Sequence, residues 1–287
     1  MEFNCKLNTD NLKLTCKFIG NIKNNYFTIK KSNGILIYSN FKQYESRNSS
    51  GYWLIKKADE IYNWPDFNEI VIITEDSTNE QNLKDNVFTY KTFPDFNFHC
   101  WKEVQIFDYE ETCNKMIQNS FENPEQMKVG WLGSITHPNR QKMVSIGSKN
   151  TDIFDFSVIN WQRDNPDVLS ANNYISMEDL VKKYGILIDV EGAGYSARVK
   201  YLLWSRRPLL LIDRIHTEYY YDFLEPWVHY IPVKQDMSDL VEKTRWCIDN
   251  YDIANEIANN AYIFAQTYLT REACYNQINK IIQKFIK

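Results

Sequence analysis

The chain has 287 residues, of which 44% are hydrophobic and 24% charged, enough for two globular cores rather than one. A net charge of −4 supplies no basic field for a nucleic-acid backbone. No run approaches the ~18 unbroken apolar residues of a membrane helix, so neither nucleic acid nor a membrane span is expected.

The N-terminal stretch MEFNCKLNTDNLKLTCKF lacks the apolar core of a secretory leader, which predicts a cytoplasmic protein. Cys5, Cys16, Cys100, Cys113, Cys247 and Cys274 form no C-x-x-C pair and read as free structural thiols. Residues 1–125 have a mixed α/β pattern. YFTIKK and ILIYS flank Ser32-Asn33-Gly34 as a hairpin. A helix is predicted over Trp53–Tyr62, followed by the strands EIVIIT (69–74) and NVFTYKT. The rings of FPDFNFHCW (93–101) suit either a core or an acceptor groove.

From residue 126 strand and helix alternate strictly. KVGWLG, FSVINW, ILIDV, PLLLID and HYIPV read as strands; PNRQKMVSIG, MEDLVKKY, SARVKYLLW and EYYYDFL read as the helices between them. Such alternation predicts a parallel, doubly wound sheet, because parallel neighbours need a crossover. Ser176 with Asp179 and Ser238 with Glu242 mark helix starts. Beyond Asp236 the chain reads as helical, and its last helix, about 268–287, is expected to pack back on the first lobe. The expected architecture is therefore two Rossmann-like α/β lobes with a cleft between them: an acceptor-side lobe, 1–125, and a nucleotide-binding lobe, 126–267.

Gly130, Gly133, Gly192 and Gly194 cluster at the ends of predicted strands, where open α/β sheets bind ligands. The segment from Ile186 to Arg198 reads as strand, glycine turn and helix start, with amides free to receive an anion. Arg198 and Lys200, in the expected first turn, suit a diphosphate; the rival reading has Arg198 paired with Glu191 or facing water. The same residues satisfy G-x-G-x-x-A, with Asp213 placed 21 residues after Gly192, as in dinucleotide folds. An NAD(P)-dependent oxidoreductase is thus the alternative. It is less favoured because strand–helix units precede this turn, whereas a dinucleotide fold opens with it.

The run SMEDLVKKYGILIDVEGAGYSARVKYLLWSRRPLLLID, followed by EYYYDFLEPWVHYIPVKQDMSDLVEK, ANNAYIFAQTYL and Cys274-Tyr275, resembles the CAP10 family, glycosyltransferase family 90. GWLGSITHPNR (130–140) and WPDFNEIVIITEDS (64–77) extend the likeness upstream. The resemblance implies a GT-B fold, an activated sugar nucleotide as donor, and inversion at the anomeric carbon with no obligatory metal. Glu75 stands where many members carry Arg, and Ala197 where Gly, Ser or Phe is usual. The leading reading is transfer of xylose or glucose from a UDP-sugar to a hydroxyl of a glycan or protein acceptor. A non-catalytic sugar-nucleotide-binding relative is a further alternative.

An inverting transfer needs a carboxylate to take the acceptor proton. Asp76, closing EIVIIT, is the candidate and occupies the position of the family's proposed base, with Glu75 pointing to the other side of the extended chain. The alternative for Asp76 is a turn cap before Ser77-Thr78-Asn79. The departing diphosphate needs fixed donors, and the candidates are the Gly133-Ser134 turn, Arg140, the Gly192, Gly194, Tyr195 and Ser196 loop, and Arg198. Glu218 could hold the ribose hydroxyls. With no D-x-D pair, and no i, i+4 pairing among His99, His137, His216 and His229, no metal site is expected.

Overall fold

A computed structural model describes residues 25–40, 45–76, 83–165 and 168–287. Cys5, Cys16, the leader reading and the Ser77-Thr78-Asn79 turn lie outside the described residues. The hairpin forms as expected from β1 (Tyr26–Ser32) and β2 (Ile35–Asn40). Asn33 and Gly34 turn it at φ values of 53° and 74°, the left-handed pair that matches the twist of its strands. Helix α1 (Glu45–Tyr62) starts two turns before Trp53. Its first turns carry Arg47, Asn48 and Ser50, which are polar yet buried, so hydrophobic periodicity does not reveal them. β3 (Phe67–Ile73) runs antiparallel to β1 and parallel to β4 (Val87–Phe88), giving a mixed sheet of order β2-β1-β3-β4. Short 3-10 turns at Phe96–Phe98 and Lys102–Val104 lead into α2 (Tyr109–Ser120).

The second lobe follows in the expected alternation: β5 (Gln126–Gly133), α3 (Pro138–Ser148), β6 (Phe154–Val158), a small hairpin of β7 (Gln162–Asn165) and β8 (Val168–Ser170), α4 (Met177–Lys183), β9 (Tyr184–Asp189), α5 (Val199–Leu202), β10 (Leu209–Ile212) and β11 (Ile231–Val233). Its five strands are all parallel in the order β11-β10-β9-β5-β6. Leu187, Leu209 and Leu211 enter one core while Ile186, Ile188, Leu210 and Ile212 enter the other, so both faces are covered and the strands read as unbroken apolar runs. After β5 the chain adds β6 on one side and later β9 on the other. The strand order reverses there, and a crevice opens between the carboxyl ends of β5 and β9.

Three expectations need correction. SARVKYLLW yields an α-helix of only 4 residues, and EYYYDFL is a 3-10 turn, Tyr219–Phe223. Ser238 bonds Asp236 instead of capping a helix, whereas Ser176 does cap α4, accepting the Asp179 amide at 3.1 Å.

The chain ends in α6 (Leu240–Asp249), α7 (Tyr251–Tyr268) and α8 (Arg271–Ile282). α8 returns to the first lobe: the Trp64 indole donates to Asn279 at 2.7 Å, Ile286 bridges to Phe67, and the Lys287 amide donates to the Asp66 carbonyl at 3.1 Å. In the other direction α2 packs on α4, with Asn119 donating to the Glu178 carbonyl at 2.9 Å. One apolar core therefore runs from Phe27 and Leu54 through Tyr109 and Tyr201 to Leu187, joining the lobes behind the cleft. Cys100, Cys113, Cys247 and Cys274 are buried free thiols. Among the described residues no helix is long and apolar enough to cross a membrane.

Candidate functional site

The crevice between β5 and β9 holds a cavity of about 320 Å³. The second lobe contributes the turn after β5, with Gly133, Ser134 and Thr136, then Arg140 from α3, and Gly192, Tyr195, Ser196 and Arg198 from the loop after β9. The first lobe contributes Arg47 and Asp76, and Trp101, Trp161 and Tyr174 supply aromatic surface.

Cations dominate the inner wall. Arg140 donates only to carbonyls: Nε to Glu191 at 3.1 Å, Nη1 to Ser134 at 3.0 Å and Nη2 to Val190 at 3.5 Å. No carboxylate lies within ion-pair reach of it among the described residues. Burial first, then the charge of Arg198, pushes its pKa down to about 10. Arg198 donates to the Leu132 carbonyl at 2.7 Å and lies 3.7 Å from Asp189, not Glu191; burial lowers its pKa too. Asp189 is fully buried and already holds Arg214 at 2.7 Å. One carboxylate thus serves two guanidinium groups, with a third beside them. A low-dielectric pocket with surplus positive charge favours an anionic occupant.

The glycine of this loop is explained by crowding. Gly192 does not have a positive φ; a Cβ there would lie 3.0 Å from Arg140 Nη2 and 3.3 Å from Thr136 Oγ1. The absent side chain lets the guanidinium cross the loop. Of the loop amides, Gly192 donates to the Gly194 carbonyl at 3.2 Å and Tyr195 to the Asp76 carbonyl at 2.9 Å. Ser196, Ala197 and Arg198, which lead into α5, do line the cavity, but a helix of 4 residues carries little dipole, and the arginines supply the positive charge.

Asp76 sits opposite. Its Oδ1 accepts from Arg47 at 2.7 Å, and its side chain keeps 41% exposure. Burial opposes the charge on Arg47, but Asp76, with Tyr195 and Asp95 adding to it, holds the guanidinium pKa above its ordinary value. Arg47 is fixed further by the Thr74 carbonyl at 3.2 Å and the Phe96 ring at 5.2 Å. Glu75 faces away, accepting from the Asn25 amide at 3.0 Å.

The fold thus gathers Asp76, Gly133, Ser134, Arg140, Gly192, Tyr195, Ser196 and Arg198 around one cavity. It does not bring Gly194 or Glu218 there. Glu218 is 2% exposed, pairs with Lys200 at 2.7 Å and accepts from Tyr220 at 2.8 Å. Lys200, expected beside a diphosphate, is fully buried between Glu218 and Asp95. Of the FPDFNFHCW rings only Trp101 reaches the cavity; Phe93, Phe96 and Phe98 are core. The histidines serve separate local roles, His99 stacking on Trp53 and His137 capping α3. Among the described residues no group of three or more His, Cys, Asp or Glu could hold a metal. Sequence reading missed Arg47, whose polar helix turns carry no motif, and the Trp161–Tyr174 wall, where the only signal was the general wealth of aromatic residues.

Two α/β lobes facing across a cleft, with the anion-seeking crevice in the parallel lobe, form a GT-B arrangement. The profile of glycosyl transferase family 90 matches residues 84–287, and the chain belongs to that family. It is 32% identical over 158 residues to protein O-glucosyltransferase 2 of Danio rerio, covering 54% of this chain and 31% of that one. Human protein O-glucosyltransferase 1 is 31% identical over 149 residues, covering 50% and 38%. An uncharacterized protein of Invertebrate iridescent virus 3 is 26% identical over 196 residues, covering 63% and 18%. The chain therefore spans between 18% and 38% of the length of these relatives. Among solved structures, TarM superposes with a TM-score of 0.46 at 12% identity, covering 70% of this chain and 40% of that one.

Proposed function

We propose that the chain transfers xylose or glucose from a UDP-sugar to a hydroxyl of a glycan or protein acceptor, with inversion. Arg140 carries this reading: a half-buried guanidinium on the cavity wall, supplied only with neutral acceptors, beside a second one at the strand reversal. A diphosphate would give both guanidinium groups a counter-charge and charge-assisted hydrogen bonds. The acceptor oxygen bonds to the anomeric carbon as the bond from that carbon to the phosphate oxygen breaks. Asp76 takes the hydroxyl proton, and Arg140 and Arg198 receive the charge left on the diphosphate.

The test is calorimetric titration with UDP, UDP-xylose, UDP-glucose and NAD. UDP and at least one UDP-sugar should bind, with Arg140→Ala weakening UDP by about 1.5–3 kcal/mol, the range for a hydrogen bond to a charged group. Binding of NAD but not UDP would replace this reading with that of an oxidoreductase.

A further inference from the structure

We infer that Trp131 is a positioning residue for the donor diphosphate: its buried indole is the platform on which Arg140 and Arg198 are set before the ligand arrives. The inference rests on reading the cavity as the donor site. Trp131 lies on β5, is 1% exposed and does not line the cavity itself. The guanidinium carbons of Arg140 and Arg198 lie 5.8 and 5.9 Å from its ring centroid. No other ring is within cation–π reach of either arginine among the described residues.

The backbone is shaped around this trio. A Cβ at Gly133 would meet the Trp131 ring at 2.7 Å, and one at Gly192 would meet Arg140 at 3.0 Å. Glycine at the first position admits the ring edge; glycine at the second admits the guanidinium. The indole N–H offers a further sign. It is buried with no hydrogen-bond partner, although a buried Trp is normally oriented by finding one. Its orientation is instead that of a ring presented to cations.

Two like charges side by side repel, and the carbonyls that Arg140 and Arg198 meet leave that repulsion only partly offset. The negative face of an aromatic ring offsets that repulsion, and Trp does so best among the aromatic residues. Holding both cations in place beforehand reduces the ordering cost of binding.

The experiment compares wild type, Trp131→Phe and Trp131→Leu by calorimetry with UDP and with uridine, which lacks the diphosphate. UDP affinity should fall by about tenfold in Trp131→Leu, and less in Trp131→Phe, which keeps a π face. Uridine affinity should be the same in all three. Thermal melting shows whether each variant is folded; if the leucine variant is not, the phenylalanine variant alone decides. Equal UDP affinity in wild type and a folded variant overturns the inference, as does a parallel loss of UDP and uridine, which would mean general damage. Wild type that binds no UDP removes the donor reading and this inference together. Loss of UDP binding in Arg140→Ala, with none in the Trp131 variants, removes this inference alone.

Discussion

Asp76 is tied on one side and open on the other. Its Oδ1 receives the Arg47 guanidinium at 2.7 Å while much of the side chain faces the cleft, so one oxygen is oriented and the second remains to accept a proton. Asp76→Asn can keep an acceptor oxygen for Arg47 but cannot act as a base. Transfer is expected to fall by ~10² to 10⁴-fold, with UDP affinity barely changed because Arg140 and Arg198, the proposed diphosphate contacts, belong to the other lobe. Turnover near the wild-type rate would place the base elsewhere. Asp95 is a poor substitute, being buried against Lys200.

At the scale of elements, the first lobe depends on a helix from the far end of the chain. Ile282, closing α8, is fully buried, and its neighbours hold Phe67 and Asp66 through backbone pairing. Ile282→Ala should cost about 2–5 kcal/mol, the range for emptying a well-packed aliphatic site, read from urea unfolding. A loss under about 1 kcal/mol would mean that the site collapses or that α8 is not what steadies this lobe. The parallel strands were legible in the sequence because ILI and LLLI have no polar face to expose, and so was the return of this helix, since the chain reads as helical beyond Asp236. The length of α5 was not: Val199, Lys200, Tyr201 and Leu202 are all buried, so no periodic pattern marks where helix gives way to turn. Of the site, Asp76, Arg140 and Arg198 could be found because they end strands or follow glycine turns. Glu218 looked the same in sequence as a ligand-facing acid, and only the packing of Lys200 against it shows otherwise.

Across the whole molecule, the lobes are joined by a buried ionic cluster as well as an apolar core. Lys200 meets Glu218 at 2.7 Å and Asp95 at 3.4 Å, bringing a first-lobe turn against two second-lobe segments. Burial pushes the Glu218 carboxyl up to about 7, with Lys200 opposing and Asp95 reinforcing the rise. A carboxyl whose folded value lies above its ordinary 4.5 takes up a proton on folding. Its contribution to stability is full below the ordinary value and is lost as pH rises through the folded value. Melting temperature should therefore decline from about pH 5 to about pH 8 more steeply in wild type than in Glu218→Gln. Identical slopes would show that Glu218 is not the group responsible.

The bond from the Tyr195 amide to the Asp76 carbonyl gives the molecule a built-in clock. That amide can trade its hydrogen for deuterium only while this bond is broken, so its protection measures the share of time the two loops stand apart, with no label on either lobe. A ligand spanning the gap should deepen that protection. Where release of a bound ligand waits for the same opening, that motion limits turnover, and the strand end that carries Asp76 takes part in it through its backbone.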